Sequence, residues 1–152
     1  MKIYFRGKND KVSREEFRYA LKWMSNMLMS SQMIKRLKIT VESKQEYGLK
    51  GSCQYENYDT RHPREFTICI DPYLSRRNQL VTLAHELVHV KQFAYGEMKD
   101  TKYYDMVKWN KQFINHEETD YWDLPWEIEA AGREYGLYRR YVDHLHEERI
   151  RF

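Results

Sequence analysis

The sequence of 152 residues predicts an α+β fold in a single domain, residues 1–152, with helices packed on a small and mostly antiparallel sheet. Three observations carry this reading: a capped amphipathic helix near the start, a cluster of three alternating segments after it, and an apolar helical stretch that follows the cluster almost at once. With 41% hydrophobic and 15% aromatic residues, including 13 Tyr and 4 Trp, the chain can pack a core despite being 32% charged. That length suits one core and not two.

Taken in order, Ser13 followed by Glu16 is a capping box, and Phe17, Ala20, Leu21, Trp23, Met24, Met27 and Leu28 then recur at helical spacing to about Ser30. Strands are expected over 37–43, with Ile39 and Val41, over 51–58, and over 65–71, where Phe66, Ile68 and Ile70 alternate. Gly48, Gly51 and Pro63 punctuate them as turns. The sequence Asp71-Pro72 ends the third strand, and Ser75 caps a helix that stops near Gly96. Residues 97–123 are polar and aromatic without clear periodicity, which reads as a loop-rich lid or insertion, with Trp109-Asn110-Lys111 at the tip of a short hairpin. Asp123 and Pro125 signal a last helix, continued by Trp126, Ile128, Ala130, Ala131, Tyr135, Leu137, Tyr138 and Tyr141 to about His146.

Charge and cysteine content exclude several roles. A net charge of +3, with basic residues spread along the chain, permits nucleic-acid contact without indicating it. Met1 to Arg6 holds no apolar run of signal-peptide length and no later stretch approaches a membrane span, so a soluble, cytoplasmic protein is expected, in the host cytoplasm if the chain is phage-encoded. Cys53 and Cys69 lack both the spacing of a zinc ribbon and the density of a disulfide scaffold, and are read as reduced thiols in strands. Oligomeric state is not written in the chain.

The chemistry is concentrated in residues 85–89, His-Glu-Leu-Val-His, an HExxH motif within the apolar run Leu80, Val81, Leu83, Ala84, Leu87, Val88, Val90 and Phe93. Four residues apart on a helix, His85 and His89 lie one turn apart on one face, so both imidazoles can bind one Zn2+. Glu86 is rotated by about 100° from His85 and can stand beside the metal without ligating it, placed to take a proton from water. Two histidines and a glutamate in so apolar a helix need partners, and a metal ion satisfies all three.

Catalytic zinc takes three protein ligands and keeps one position open, so a third must come from elsewhere. The metzincin continuation would place glycine and histidine where Gln92 and Tyr95 stand, which excludes it. A glutamate on a downstream helix is the other common solution, and both Glu127 and Glu129 are available. His116 offers a third histidine of the kind SprT-like proteases use. His144 and His146, two apart on a helix, point nearly opposite ways and are read as surface residues, and His62 as a turn residue. Tyr121, Tyr135 and Tyr138 flank the second glutamate segment as candidate oxyanion donors or core aromatics.

The pair of motifs, His85-Glu-Leu-Val-His-Val-Lys-Gln92 and Pro125-Trp-Glu-Ile-Glu-Ala130, resembles the phage and bacterial zinc metallopeptidases of gluzincin type, related to the ImmA/IrrE peptidases. The likeness covers roughly residues 64–135. It implies a zincin-like fold with the HExxH helix central and an edge strand able to align an extended substrate, for which 65–71 is the candidate. It implies His85, His89 and Glu127 as zinc ligands, Glu86 as general base, Glu129 as a supporting neighbour, and hydrolysis of peptide bonds in a peptide or protein substrate. The pattern breaks at Ala131, where those families carry Asn or Asp, so a partner for one histidine has to come from another position. Two other readings keep the metal: a SprT-like protease acting on DNA-associated proteins, and a regulatory or interaction protein whose zinc site is structural.

Overall fold

The computed structural model describes residues 1–56 and 62–152. Among these residues it is an α+β fold of four α-helices and two small sheets. Strand β1, Lys2–Arg6, turns Ile3 into the core. Helix α1, Arg14–Leu28, starts where the Ser13 hydroxyl accepts a hydrogen bond from Glu16 N. The expected capping box is thus half present. Glu16 is buried, and its carboxylate pairs with the Arg76 guanidinium instead of reaching back to the cap. Phe17, Ala20, Leu21 and Met24 form the buried face of α1. A short helix α2, Ser31–Arg36, capped by Ser30, leads into β2, Lys38–Ser43.

The main sheet runs β1-β2-β4-β3, with β3 at Gly51–Tyr55 and β4 at Glu65–Ile70. Two expectations are corrected here. The sheet is mixed and not mostly antiparallel: β1 pairs with β2 and β2 with β4 in parallel, and only β3 and β4 are antiparallel. Strand β1 was unforeseen, and the helices that join it to β2 carry the chain back across the sheet and require a parallel pairing; β3 lies outside β4 and not between β2 and β4, so those two also pair in parallel. Nor is β4 an edge. It lies between β2 and β3 with five consecutive buried residues, Phe66 to Ile70, the continuous burial of a strand covered on both faces. The edge beside the helix that carries His85 and His89 is β3. Of the segment 51–58 expected as a strand, 51–55 is one, and 57–58 lie outside the described residues.

Helix α3, Arg76–Tyr95, is central as expected: it packs on β3 and β4, on α1, and most extensively on α4, Pro125–Glu147. Leu80, Leu83, Ala84, Leu87, Val88 and Val90 are fully buried along it. Ser75 caps its start, and Gly96 ends it in the left-handed region at φ 72°. Close approach of sheet and helix depends on Gly51, where a Cβ would run into Thr82 Cγ2 and meet the Cys69 carbonyl at 2.8 Å and Glu86 Oε1 at 3.2 Å.

Residues 97–123 are more ordered than their composition suggests. They form an antiparallel meander of β5, Met98–Asp100, β6, Met106–Trp109, and β7, Gln112–Asn115, followed by a 3-10 turn at Tyr121–Asp123. The expected hairpin tip is there, with Asn110 and Lys111 at φ 44° and 75°, the two positive values of a type I′ turn. A second small core of Val107, Leu124 and Trp126 joins the meander to the start of α4, with Trp109 against Trp126. At its other end Tyr55 donates to Asp100 Oδ2 at 2.7 Å, tying the meander to β3.

Two glycines separate backbone need from chance. Gly51→Ala is expected to lower stability by about 1–3 kcal/mol through overpacking. Gly132→Ala, in α4 with nothing near its Cβ position, is expected to raise it by roughly 0.5–1 kcal/mol through helix propensity. Urea midpoints of the two variants should therefore move in opposite directions.

Candidate metal centre

The site forms where two turns of α3 face the first turn of α4. His85 and His89 project from one face of α3, as their spacing requires, and Glu127, held three residues into α4 by the Pro125 start, meets them. His85 Nε2 and His89 Nε2 are 3.1 Å apart. Glu127 places Oε2 3.3 Å from the first and Oε1 3.5 Å from the second. Ligands bound at about 2.0–2.1 Å to one tetrahedral ion stand roughly 3.3 Å apart, so the spacing fits a shared cation. His85, His89 and Glu127 could hold a metal ion, and among the described residues they are the one group so arranged.

The imidazoles are aimed by partners on their far side. Gln92 Nε2 donates to the Trp126 carbonyl at 3.0 Å and to Glu129 Oε2 at 3.1 Å, which leaves its Oε1 as the acceptor for His89 Nδ1 at 2.8 Å. Glu134 Oε2 accepts from His85 Nδ1 at 2.7 Å. With each Nδ1 carrying its proton, both Nε2 lone pairs point inward at the Glu127 carboxylate. Three electron-rich atoms facing one another in a mostly buried site repel unless protons or a cation lie between them.

The ionisation of the site follows from that crowding. Burial pushes the His85 imidazolium down, but the carboxylates of Glu127, Glu86 and Glu134 outweigh it and raise the group to about 9. His89 is raised too, its burial outweighed by Glu127 and Glu86 with the hydrogen bond to Gln92 added. Burial acts upward on Glu127, yet hydrogen bonds from His85, His89 and Tyr121 hold it well below the usual carboxylate range. Glu86 behaves in the opposite way: it is 5% exposed, and burial lifts it to about 7 although both histidines pull it down.

The residues read from the sequence divide clearly. Glu129 stands away from the cluster, bound to Lys91 Nζ at 2.8 Å and to Gln92, and supports the site from behind. Glu86 lines a cleft of about 340 Å3 together with His89, Glu127, Tyr121 and all of β3. Tyr121 donates to Glu127 Oε2 at 2.6 Å. By contrast, the Tyr135 hydroxyl takes a hydrogen bond from Arg77, and Tyr138 packs near Tyr135, so neither is placed at the cluster. His116 is half-buried and bonds the Tyr104 carbonyl, apart from the ligands. His144 meets the Tyr19 hydroxyl, and His62 lies against Gly96. His146 is exposed. Cys53 and Cys69 are free thiols in β3 and β4, as expected.

Sequence reading missed Glu134 and weighed Gln92 only as a departure from the metzincin pattern. Glu134 follows Glu127 by two helical turns and so shares its face of α4, a signal available in the spacing. It takes the place that Ala131 leaves open. Gln92 follows His89 by three on α3, one turn further along the same face. Among the described residues no helix is long and apolar enough to cross a membrane. No family model matches the chain, and neither does any curated protein or solved structure.

Metal uptake has to displace protons held on the raised imidazoles. Titrations with Zn2+ in buffers of different ionisation enthalpy are expected to show proton release, with apparent affinity rising with pH up to about 9, since deprotonated His85 is the binding form. Glu134→Ala and Gln92→Ala are each expected to weaken metal binding about 10–100-fold with the fold intact.

Proposed function

We propose that the chain is a zinc-dependent peptidase in which Glu86 is the general base. The observation that carries this reading is the place of Glu86: a buried carboxyl that is no member of the ligand cluster, lies in the same cleft as His89 and Glu127, and is raised to about 7. A structural metal site needs no such group. A base poised near neutral pH is what hydrolysis requires. The pairing of the HELVH and PWEIEA motifs, with its resemblance to gluzincin-type peptidases, supports the same reading.

Bound Zn2+ would supply Lewis acidity, polarising a scissile carbonyl and making water more acidic. The chain's own groups do the rest. The β3 edge pairs by backbone hydrogen bonds with an extended polypeptide, which selects for unfolded or strand-like segments and not for a particular sequence. Glu86 takes the proton from the attacking water as its oxygen bonds to the carbonyl carbon. As the C–N bond breaks, Glu86 passes that proton to the leaving nitrogen. Tyr121, whose hydroxyl is poised at Glu127 on the cleft wall, turns to donate to the carbonyl oxygen as charge gathers there.

The test is hydrolysis of a dye-labelled, denatured polypeptide by zinc-loaded protein. Glu86→Gln is expected to lower turnover about 100–10,000-fold while zinc content is unchanged, and Glu127→Ala to lose both zinc and activity. Tyr121→Phe is expected to lower kcat about 100-fold or more with little change in KM. The rate should rise with pH on an acidic limb at or below pH 7, because protonated Glu86 is inactive and a nearby cation lowers its value. Full activity in Glu86→Gln, with unfolding in His85→Ala, would make the metal structural and sink the proposal.

A further inference from the structure

Three carboxyl groups and no lysine or arginine line the cleft beside β3. Two of them have a use already: Glu127 meets the histidines, and Glu86 is the base of the proposed hydrolysis. The third, Asp100, has none. It ends β5 and is exposed. Its pairing with Val107, a residue of the second small core, turns it toward α4 and the cleft, whereas Lys99 and Lys108, one row back, lie on the other face of the meander. Glu97 and Glu129 share the Lys91 ammonium, but among the described residues no cation pairs with Asp100.

We propose that Asp100 binds a cationic group of the substrate about two residues from the scissile bond, either the side chain of a lysine or arginine or the free ammonium of a chain end. The inference rests on the peptidase reading and deepens it by naming what the substrate carries. Its position follows from Tyr55. The Tyr55 ring packs on Phe93, with centroids 4.8 Å apart, and its hydroxyl donates to Asp100 Oδ2 at 2.7 Å. Phe93 follows His89 by one turn of α3, about 6 Å along the axis, and two residues of an extended chain span about 7 Å. A polypeptide lying along β3 with its carbonyl at the cluster therefore brings the side chain two residues on to Asp100, on the same face as the side chain at the cut. The chemistry follows from what the carboxylate lacks. With Oδ2 held by Tyr55, Oδ1 is left as an acceptor on the cleft wall. Glu86, 5% exposed and lining the same cleft, accepts no hydrogen bond from another described residue. Two carboxyls with no ion pair of their own, facing one cleft, favour the entry of a cation and oppose that of an anion.

The experiment has two arms. Zinc-loaded protein is given a mixed peptide library, once with free and once with acetylated N-termini, and its cleavage sites are sequenced. A side-chain cation shows as lysine or arginine at one fixed position, favoured over glutamine about 5-fold at low salt and less at high salt. A chain-end cation shows as cuts gathered near free N-termini and lost on acetylation. Asp100→Asn, which keeps an acceptor for Tyr55 and removes the charge, is expected to erase the preference with zinc content unchanged. Asp100→Lys is expected to reverse it toward glutamate, a change that a merely structural Asp100 would not produce. In the second arm, zinc-loaded Glu86→Gln is titrated with dye-labelled peptides bearing lysine, glutamine or a free N-terminus, and anisotropy is read. One of the cationic peptides is expected to bind about 5-fold more tightly than the acetylated glutamine peptide, and Asp100→Asn to remove the difference. Cleavage indifferent to charge, or a preference that survives Asp100→Asn, would overturn the Asp100 site and leave the peptidase standing. Charge-selective binding that Asp100→Asn removes, without any cleavage, would uphold the site and overturn the peptidase. Equal binding of all three peptides with no cleavage would overturn both.

Discussion

Two imidazole nitrogens and a carboxylate meet between α3 and α4, within 4.8 Å of one another and largely shut off from water. Holding them so close opposes their mutual repulsion, and the surrounding structure is arranged to make that arrangement the one available. The packing of α3 on α4 is the most extensive in the molecule. A buried amide, Gln92, bridges the two helices, with its orientation set by the Trp126 carbonyl and Glu129, and Glu129 is in turn neutralised by Lys91. Glu134 does the same for the other histidine. Removing an acceptor frees a ring to turn and present the wrong nitrogen, so the ligands' geometry is only as firm as this second layer of bonds.

The burial that stiffens the ligands also separates the two glutamates of greatest interest. Glu127 and Glu86 are both buried carboxyls near the same two histidines, yet one is driven far down and the other up to about 7. Direct hydrogen bonds explain the difference. Glu127 takes them from His85, His89 and Tyr121, whereas Glu86 meets the imidazoles only through space and keeps its desolvation cost. Adjacent positions on the same helix, 85 and 86, thus serve different ends because one faces the cluster and the other the cleft.

What the sequence disclosed followed from periodicity. The α3 and α4 helices, the place of His85 and His89 on one face, the Ser13 and Ser75 caps and the Asn110-Lys111 turn were all legible, since each depends on residues within a turn or two. Glu127 came from resemblance, not from spacing. Features set by distant partners escaped. Strand β1 is short, and its few apolar residues among charges gave it no pattern of its own, so the parallel pairing it imposes on β2 was hidden as well. In β4 the alternation of Phe66, Ile68 and Ile70 gave a strand with one apolar face, while the burial of Thr67 and Cys69 on the other face depends on the layers that cover it and its place inside the sheet on where β3 lands. Glu134 shares a helix face with Glu127, yet only the register of α4 on α3 shows that this face reaches His85. Strands of three and four residues in the meander are too short to set up an alternation.

The meander matters to how the protein comes together as well as to its finished shape. His89 and Glu127 are far apart in sequence, and a floppy connection between them would make their meeting entropically costly. Hairpins β5-β6 and β6-β7 form from neighbouring residues, and Trp109 on Trp126 then docks them to the head of α4. Gathered into a compact block, the long connection shortens the effective loop that is closed when Glu127 meets the histidines. A cation that His85, His89 and Glu127 could hold would therefore find all three together only where the meander has taken its place between the helices.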